Sequence, residues 1–255
     1  DVIETTIELL LYVMKSQLFL DGNKIPYVLW GGTFLGGIRH KGFIPWDDDI
    51  DVAMPEEDYR RFLSLRNSLP EGLLLLEEDI KRDYPFYFCE LCDTRIPFKS
   101  GNQTGPVGIY IDIFPLLPSY EPDRRVEFYF NIISVIGYVL QVKTGWTDYK
   151  PYKKMHARLS FALLRSCSIA QLRRLRKRII GTLRSERTRY CFSPGGGHKG
   201  LVEFYPKQWF DTVQTLCFEG KQFPVPVGWD GYLHQLYGEY VVLPDISDRK
   251  SQHKR

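Results

Sequence analysis

Apolar residues recur at helical spacing over positions 2 to 20, where Ile3, Ile7, Leu10, Leu11, Met14 and Leu18 share one face and predict an amphipathic helix. The period then changes. Tyr27 to Trp30 and Ile50 to Met54 are apolar runs of strand length, separated by a glycine-rich segment. Asp49 and Asp51 flank Ile50, so an extended chain turns both carboxylates to one side and the isoleucine to the core. Pro55-Glu56-Glu57-Asp58 predicts a helix start, because proline and acids suit a first turn, and that helix runs to about Leu69. Further strands are predicted near Leu73 to Leu76, Tyr84 to Cys92 and Gly108 to Ile113. Pro115, Pro118 and Pro122 then break the pattern ahead of two or three basic helices between about 123 and 190. The loop Ser193 to Gly200 leads into the C-terminal region, and no internal repeat is visible.

With 255 residues, 44% of them hydrophobic and 25% charged, the chain can bury the core of one main domain with a helical subdomain. The net charge of +3 hides an asymmetry. Residues 1 to 120 carry 11 Lys and Arg against 19 Asp and Glu, whereas 150 to 199 carry 14 Lys and Arg against Glu186 alone. The first block concentrates carboxylates. The second suits an anionic surface, densest at Arg173, Arg174, Arg176, Lys177 and Arg178, or else a solvated helical face.

Five cysteines, an odd count, argue against a disulfide framework. Cys89 and Cys92 form a C-x-x-C pair within a strand pattern, with no second pair at zinc spacing, and are expected to be buried. The longest apolar run, Asn131 to Leu140, is short of the ~20 residues a bilayer crossing needs. It predicts a buried or interfacial helix. The chain begins at Asp1, which leaves a removed N-terminal anchor open.

The candidate chemistry is concentrated in Trp30-Gly31-Gly32-Thr33, Gly36-Gly37-Ile38-Arg39-His40-Lys41-Gly42 and Pro45-Trp46-Asp47-Asp48-Asp49-Ile50-Asp51. Four aspartates within five positions repel one another, and a divalent cation offsets that repulsion. Hard oxygen ligands at this spacing suit magnesium or manganese. Gly31 and Gly32 after an apolar run predict a strand entering a turn whose amides can approach a phosphate, with Arg39, His40 and Lys41 supplying positive charge. A solvated acidic turn is the plain alternative for the aspartates alone. The Ser193 to Gly200 loop lacks the Lys-Ser/Thr ending of a nucleotide cradle, and it is expected to be a connector.

These segments carry a resemblance. Tyr27 to Phe62, with GGT, IRHKGFIPWDDDIDV and EEDYRRF, resembles the LicD-type phosphocholine transferases, a branch of the DNA polymerase β-like nucleotidyltransferase superfamily related to fukutin-type enzymes. Val107 to Pro115 resembles the family's second acidic strand. Phe218-Glu219-Gly220, Phe223 to Pro226, Tyr237-Gly238-Glu239-Tyr240 and Leu243-Pro244 with Arg249 and His253 resemble its C-terminal signature. Near Glu90 the family often carries a basic residue.

The resemblance implies an α+β fold, a nucleotidyltransferase-like mixed β-sheet flanked by helices, with a basic helical insertion. The corresponding division is a catalytic core over 1–120, the insertion over 121–200 and a C-terminal segment over 201–255 that completes the site. It implies transfer of phosphocholine from CDP-choline to a hydroxyl of a cell-surface glycan, such as lipopolysaccharide or teichoic acid, with CMP leaving. Asp49, Asp51 and Asp112 are the implied carboxylates for Mg2+ or Mn2+, with Asp112 as a third ligand or as the base. Gly31, Gly32, Thr33, Arg39, His40, Lys41, Trp46, Arg249 and His253 are the implied substrate contacts. Trp46, Tyr110 and Trp209 are candidate walls for a quaternary ammonium. A CDP donor of ribitol or another alditol is an alternative, as is a catalytically silent glycan- or nucleotide-binding module. The expected partners are a CDP-alcohol and a glycan acceptor, lipid-linked or free, with peripheral contact to an anionic membrane and no nucleic acid. The expected location is cytoplasmic, peripheral to the inner face of a bacterial membrane.

Overall fold

The computed structural model describes residues 19–47, 49–97, 108–148, 150, 155–187, 189–196, 200–245, 247 and 249. The helix expected over 2–20, Asp48, His198 and His253 lie wholly or mostly outside the described residues. The architecture is α+β. A mixed sheet runs in the order β1 (Val28–Leu29), β2 (Asp51–Pro55), β5 (Gly108–Ser119), β4 (Cys89–Pro97), β3 (Leu73–Leu76), and helices flank it. β2 and β5 are parallel, while β1 with β2, β3 with β4 and β4 with β5 are antiparallel. Past its pairing with β4, β5 continues beside β6 (Tyr190–Phe192), which pairs with β7 (Phe204–Pro206). A separate hairpin, β8 (Val213–Phe218) and β9 (Lys221–Pro226), lies toward the C-terminus.

β5 is buried along its whole length and runs through Pro115 and Pro118, two of the residues expected to interrupt the pattern. The β4 register ends at Ile113, so Pro115 has β2 on one side and owes no ladder bond on the other. Cys89 and Cys92 are free and buried on β4. Three positions apart on a strand, they fall on opposite faces and pack into different clusters, as the burial reading expected. Burial pushes both thiols well above the ordinary range.

The glycine-rich segment forms a helix, α1 (Gly31–His40), where the sequence predicted a turn. Tertiary packing overrides the poor helix propensity of its glycines. A Cβ on Gly36 would stand 2.5 Å from the Gly42 carbonyl oxygen, and one on Gly37 would stand 2.7 Å from Leu216 Cδ2 on β8. α2 (Glu56–Ser64) follows β2 directly with three acids in its first turn, and a 3-10 turn over Leu65–Ser68 extends it as predicted.

The basic segment supplies three helices, α3 (Arg124–Lys143), α4 (Met155–Leu164) and α5 (Ile169–Leu183). Asp123 caps α3 by accepting from the Val126 amide at 2.7 Å, and Ser168 with Gln171 forms a capping box on α5. Their inner faces share a cluster with Leu117, Phe192 and Phe204, so β6, inside the expected insertion, belongs to the main sheet. Among the described residues no helix is long and apolar enough to cross a membrane.

Part of the charge on α5 faces inward, while Arg174 and Arg178 are exposed. Arg173 donates to the carbonyls of Glu78, Lys81, Arg82 and Tyr84. Arg176, 2% exposed, donates to Glu78 Oε2 at 2.6 Å and to the Pro85 carbonyl at 2.6 Å, while Lys177 pairs with Glu78 and Asp79. This capture explains why strand structure begins at Cys89 and not at Tyr84: carbonyls of 84–86 are directed to arginines and not to a neighbouring strand.

Candidate active site

Parallel pairing of β2 with β5 sets Asp51 opposite Asp112, and antiparallel pairing of β5 with β4 sets Glu90 opposite Asp112. Three carboxylates therefore stand in one row across three adjacent strands, which lie about 4.8 Å apart in sheets generally. Backbone bonds hold the row in register. The Asp112 amide donates to the Ile50 carbonyl at 2.8 Å, the Asp51 amide to Thr33 Oγ1 at 2.9 Å, and the Trp30 amide to the Asp51 carbonyl at 3.0 Å. Ile50 is buried between the partly exposed Asp49 and Asp51, as period-two alternation requires. Thr33 is buried and acts on the strand through its hydroxyl.

Asp112 is buried, and its Oδ1 has no hydrogen-bond partner among the described residues. Burial, then the charges of Glu90, Asp51 and Asp49, hold its carboxyl well above the usual carboxylate range. The N-terminus of α1 meets the same cluster. A Cβ on Gly31 would stand 2.4 Å from Asp51 Oδ2, and one on Gly32 would stand 2.5 Å from Asp47 Oδ2, so the two glycines make room for carboxylates. Gly31 also needs its left-handed φ of 51°. Its amide donates to the Tyr232 hydroxyl at 3.0 Å, which ties it to α6 (Trp229–Tyr237).

At the other end of α1 the charges are positive. Arg39 donates from Nη1 to the Tyr240 carbonyl at 3.2 Å. Burial and the neighbouring charge of Arg249 lower its pKa, partly offset by Tyr237. The Arg249 guanidinium lies 5.4 Å from the centre of the Trp46 ring, and its Nε donates to the Pro244 carbonyl. His40 stands edge-on to Trp46, with ring centres 6.2 Å apart. Burial, then the charge of Arg39, lower its pKa.

Lys41 ends α1 in the left-handed region and is exposed, while its carbonyl accepts from the Glu219 amide at 2.9 Å. Glu219 Oε1 in turn accepts from the Phe43 amide at 3.1 Å, and a Cβ on Gly42 would collide with that carboxylate. The Phe218-Glu219-Gly220 turn thus braces the loop that leads to Trp46 and the aspartates.

Tyr237, the last residue of α6, links the two charge sets. Burial, then Asp51, Asp47, Glu203 and Asp49, raise the pKa of its hydroxyl, and Tyr237 also acts on Arg39. The other aromatic candidates are placed differently. Tyr110 shares the Asp112 face of β5 but packs with Leu76, Tyr84 and Cys92, and Trp209 lies against Gly228 and Gly231. Sequence reasoning gave no individual role to Glu90, Asp47, Glu219, Tyr232 or Tyr237, although Asp47 lay in the aspartate run and Glu219 and Tyr237 in the C-terminal signature. The signal for Tyr237 was present in the Tyr-Gly-Glu-Tyr run, whereas that for Glu90 required the β4 register.

Crowded carboxylate oxygens, one of them buried without a hydrogen-bond partner among the described residues, are the chemistry a hard divalent cation takes. Among the described residues no group of three or more His, Cys, Asp or Glu side chains stands close enough together to hold a metal ion.

A mixed sheet with an Asp-x-Asp segment leading into one strand, a further carboxylate on the neighbouring parallel strand and a glycine-started helix before them defines a nucleotidyltransferase-like protein. Residues 24–133 match the family described as LicD/FKTN/FKRP, nucleotidyltransferase domain. The lipopolysaccharide cholinephosphotransferase LicD of Haemophilus influenzae is 31% identical over 246 residues, spanning 90% of this chain and 87% of its own. An uncharacterised protein of Rickettsia prowazekii is 42% identical over 52 residues, 20% of this chain and 18% of its own. The human ribitol 5-phosphate transferase FKRP is 26% identical over 104 residues, 39% of this chain and 18% of its own. The chain belongs to the LicD/FKTN/FKRP family.

Proposed function

We propose that this protein transfers phosphocholine from CDP-choline to a hydroxyl of a cell-surface glycan, releasing CMP. The observation that carries the reading is the pairing of a carboxylate row, Asp51 and Asp112 in register, with the cationic and aromatic group Arg39, Arg249 and Trp46 at the opposite end of one helix. The long match to a cholinephosphotransferase supports choline as the alcohol.

In this reading Asp49, Asp51 and Asp112 hold Mg2+ or Mn2+, which when bound neutralises charge on the diphosphate and on departing CMP. Arg39 and Arg249 grip the diphosphate, Trp46 offers an aromatic wall among the cations, and the Glu219 turn fixes the loop between them. The acceptor oxygen forms the new bond to the choline-bearing phosphorus as its bond to CMP breaks. Asp112 is placed either to complete the metal's donors or to receive the acceptor's proton, for which a raised pKa is suited.

Ribitol phosphate is the second reading, supported by the match to a ribitol 5-phosphate transferase. CMP release measured with CDP-choline and with CDP-ribitol, each with metal and glycan, tests the choice. Faster release from CDP-choline is expected, and turnover confined to CDP-ribitol would overturn it.

Arg39→Ala is expected to lower kcat/KM for the donor by about 2 to 4 kcal/mol of transition-state stabilisation, the loss typical of one charge-assisted donor in a preorganised site. Steady-state kinetics beside a melting curve checks it. Unchanged donor kinetics with a lowered Tm would reduce Arg39 to its bond with the Tyr240 carbonyl.

A further inference from the structure

The basic region was expected to meet an anionic surface; in its densest part, on α5, Arg173, Arg176 and Lys177 are engaged by Glu78, Asp79 and the carbonyls of 81–86, while Arg174 and Arg178 are exposed. α4 behaves differently. Phe161 is buried and packs on Tyr138 of α3, with ring centres 5.6 Å apart, and Leu164 lies against the same cluster. On the opposite side Leu159 is 59% exposed and Leu163 72% exposed, one turn apart. Ala162 and Ser166 are exposed beside them. Two leucines presented on adjacent turns of one short helix form a ridge, which scattered surface apolar residues do not.

The ridge has a cationic shoulder. Arg158 and Arg165, seven positions apart, share one stripe of the helix beside the leucines, and both are exposed. The Arg165 amide continues the helix to the Phe161 carbonyl at 2.9 Å, and its own carbonyl accepts from Lys143 Nζ at 2.8 Å. From 149 to 185 the sequence has 11 Lys and Arg and no Asp or Glu. An apolar ridge bordered by cations in an acid-free stretch is complementary to a surface that is apolar below and anionic above.

We infer that α4 is a membrane-surface contact, with Leu159 and Leu163 entering the headgroup boundary of an anionic bilayer and Arg158 and Arg165 engaging its phosphates. The contact is peripheral, and salt screens its electrostatic part. Lipid binding is read without donor or acceptor, so it stands or falls separately from the transfer reaction.

The test is co-sedimentation of the full chain with vesicles of phosphatidylglycerol and phosphatidylcholine, or of phosphatidylcholine alone, at low and raised salt. The expected result is binding to the anionic vesicles that weakens with salt. Arg158→Glu with Arg165→Glu, and separately Leu159→Gln with Leu163→Gln, should each weaken it about tenfold or more. Both variants should keep the parent Tm because the four side chains are exposed, and Lys221→Glu on the distant hairpin should bind as the parent does. Equal binding to both vesicle types, no binding to either, or variants that bind as the parent would overturn the inference. So would a parent dimer that dissociates in the leucine variant, since the ridge would then belong to a second copy of this chain.

Discussion

Asp112→Asn is expected to reduce transfer by about three orders of magnitude or more while raising the Tm measured in EDTA. The first effect follows from removing a charge where transition-state charge must be offset, a loss that packing cannot replace. The second follows from position. Asp112 is buried between the β-strand partners Asp51 and Glu90, with Oδ1 unpartnered among the described residues, so an isosteric amide relieves like-charge repulsion at little packing cost. The pH dependence has a defined sign. Burial and its acidic neighbours raise the folded-state pKa of Asp112 above the unfolded value. Its penalty is therefore absent below the unfolded pKa and grows as pH rises toward the folded one. The gain from Asn should be larger at pH 8 than at pH 4. Asp49→Asn and Asp51→Asn should lose turnover to a similar extent with smaller changes in Tm, since both side chains are partly exposed. An Asp112→Asn protein with near-parent turnover, or one that melts lower at every pH, would contradict the assignment.

Arg176→Ala is expected to destabilise the fold by about 3 kcal/mol, at the lower end of the range for breaking a buried ion pair. The side chain is 3% exposed, and its guanidinium donates to Glu78 Oε2 and to the Pro85 and Phe86 carbonyls. Lys177 at 3.1 Å and Arg173 at 3.6 Å still face Glu78 after the substitution, which holds the loss to the low end. Arg176→Lys should recover only part of it, because an ammonium cannot span the carboxylate and both carbonyls. Urea unfolding of the three proteins measures this. A loss below about 1 kcal/mol would mean that the α5 contact adds little to the fold.

The sequence was most legible where period and chemistry coincide. Asp49-Ile50-Asp51 and Ile111-Asp112-Ile113 are alternations that an extended chain resolves in one way, and the structure places Asp51 and Asp112 side by side. Strand pairing was less legible. Glu90 is an ordinary acid in the sequence and acquires meaning only through its register with Asp112. Gly31 to Lys41 has the composition of a turn, and its helix is selected by Leu216 and the Gly42 carbonyl, which local propensity does not see. Tyr84 to Phe88 has the composition of a strand, yet arginines from a helix distant in sequence take its carbonyls. For the same reason charge counting did not show that Arg173 and Arg176 are spent inside the protein. The proximity of Arg39 to Arg249 and Trp46 was reached through the C-terminal motif and not through spacing.

The central claim concerns which side of the donor diphosphate moves, and a CDP-choline labelled separately in cytidine and in choline tests it with purified protein, glycan acceptor and Mn2+. The account predicts the choline label on the acceptor and the cytidine label in CMP, with both products suppressed by EDTA and by Asp51→Asn. Cytidine label on the acceptor with release of phosphocholine, or turnover undiminished by EDTA, would contradict it.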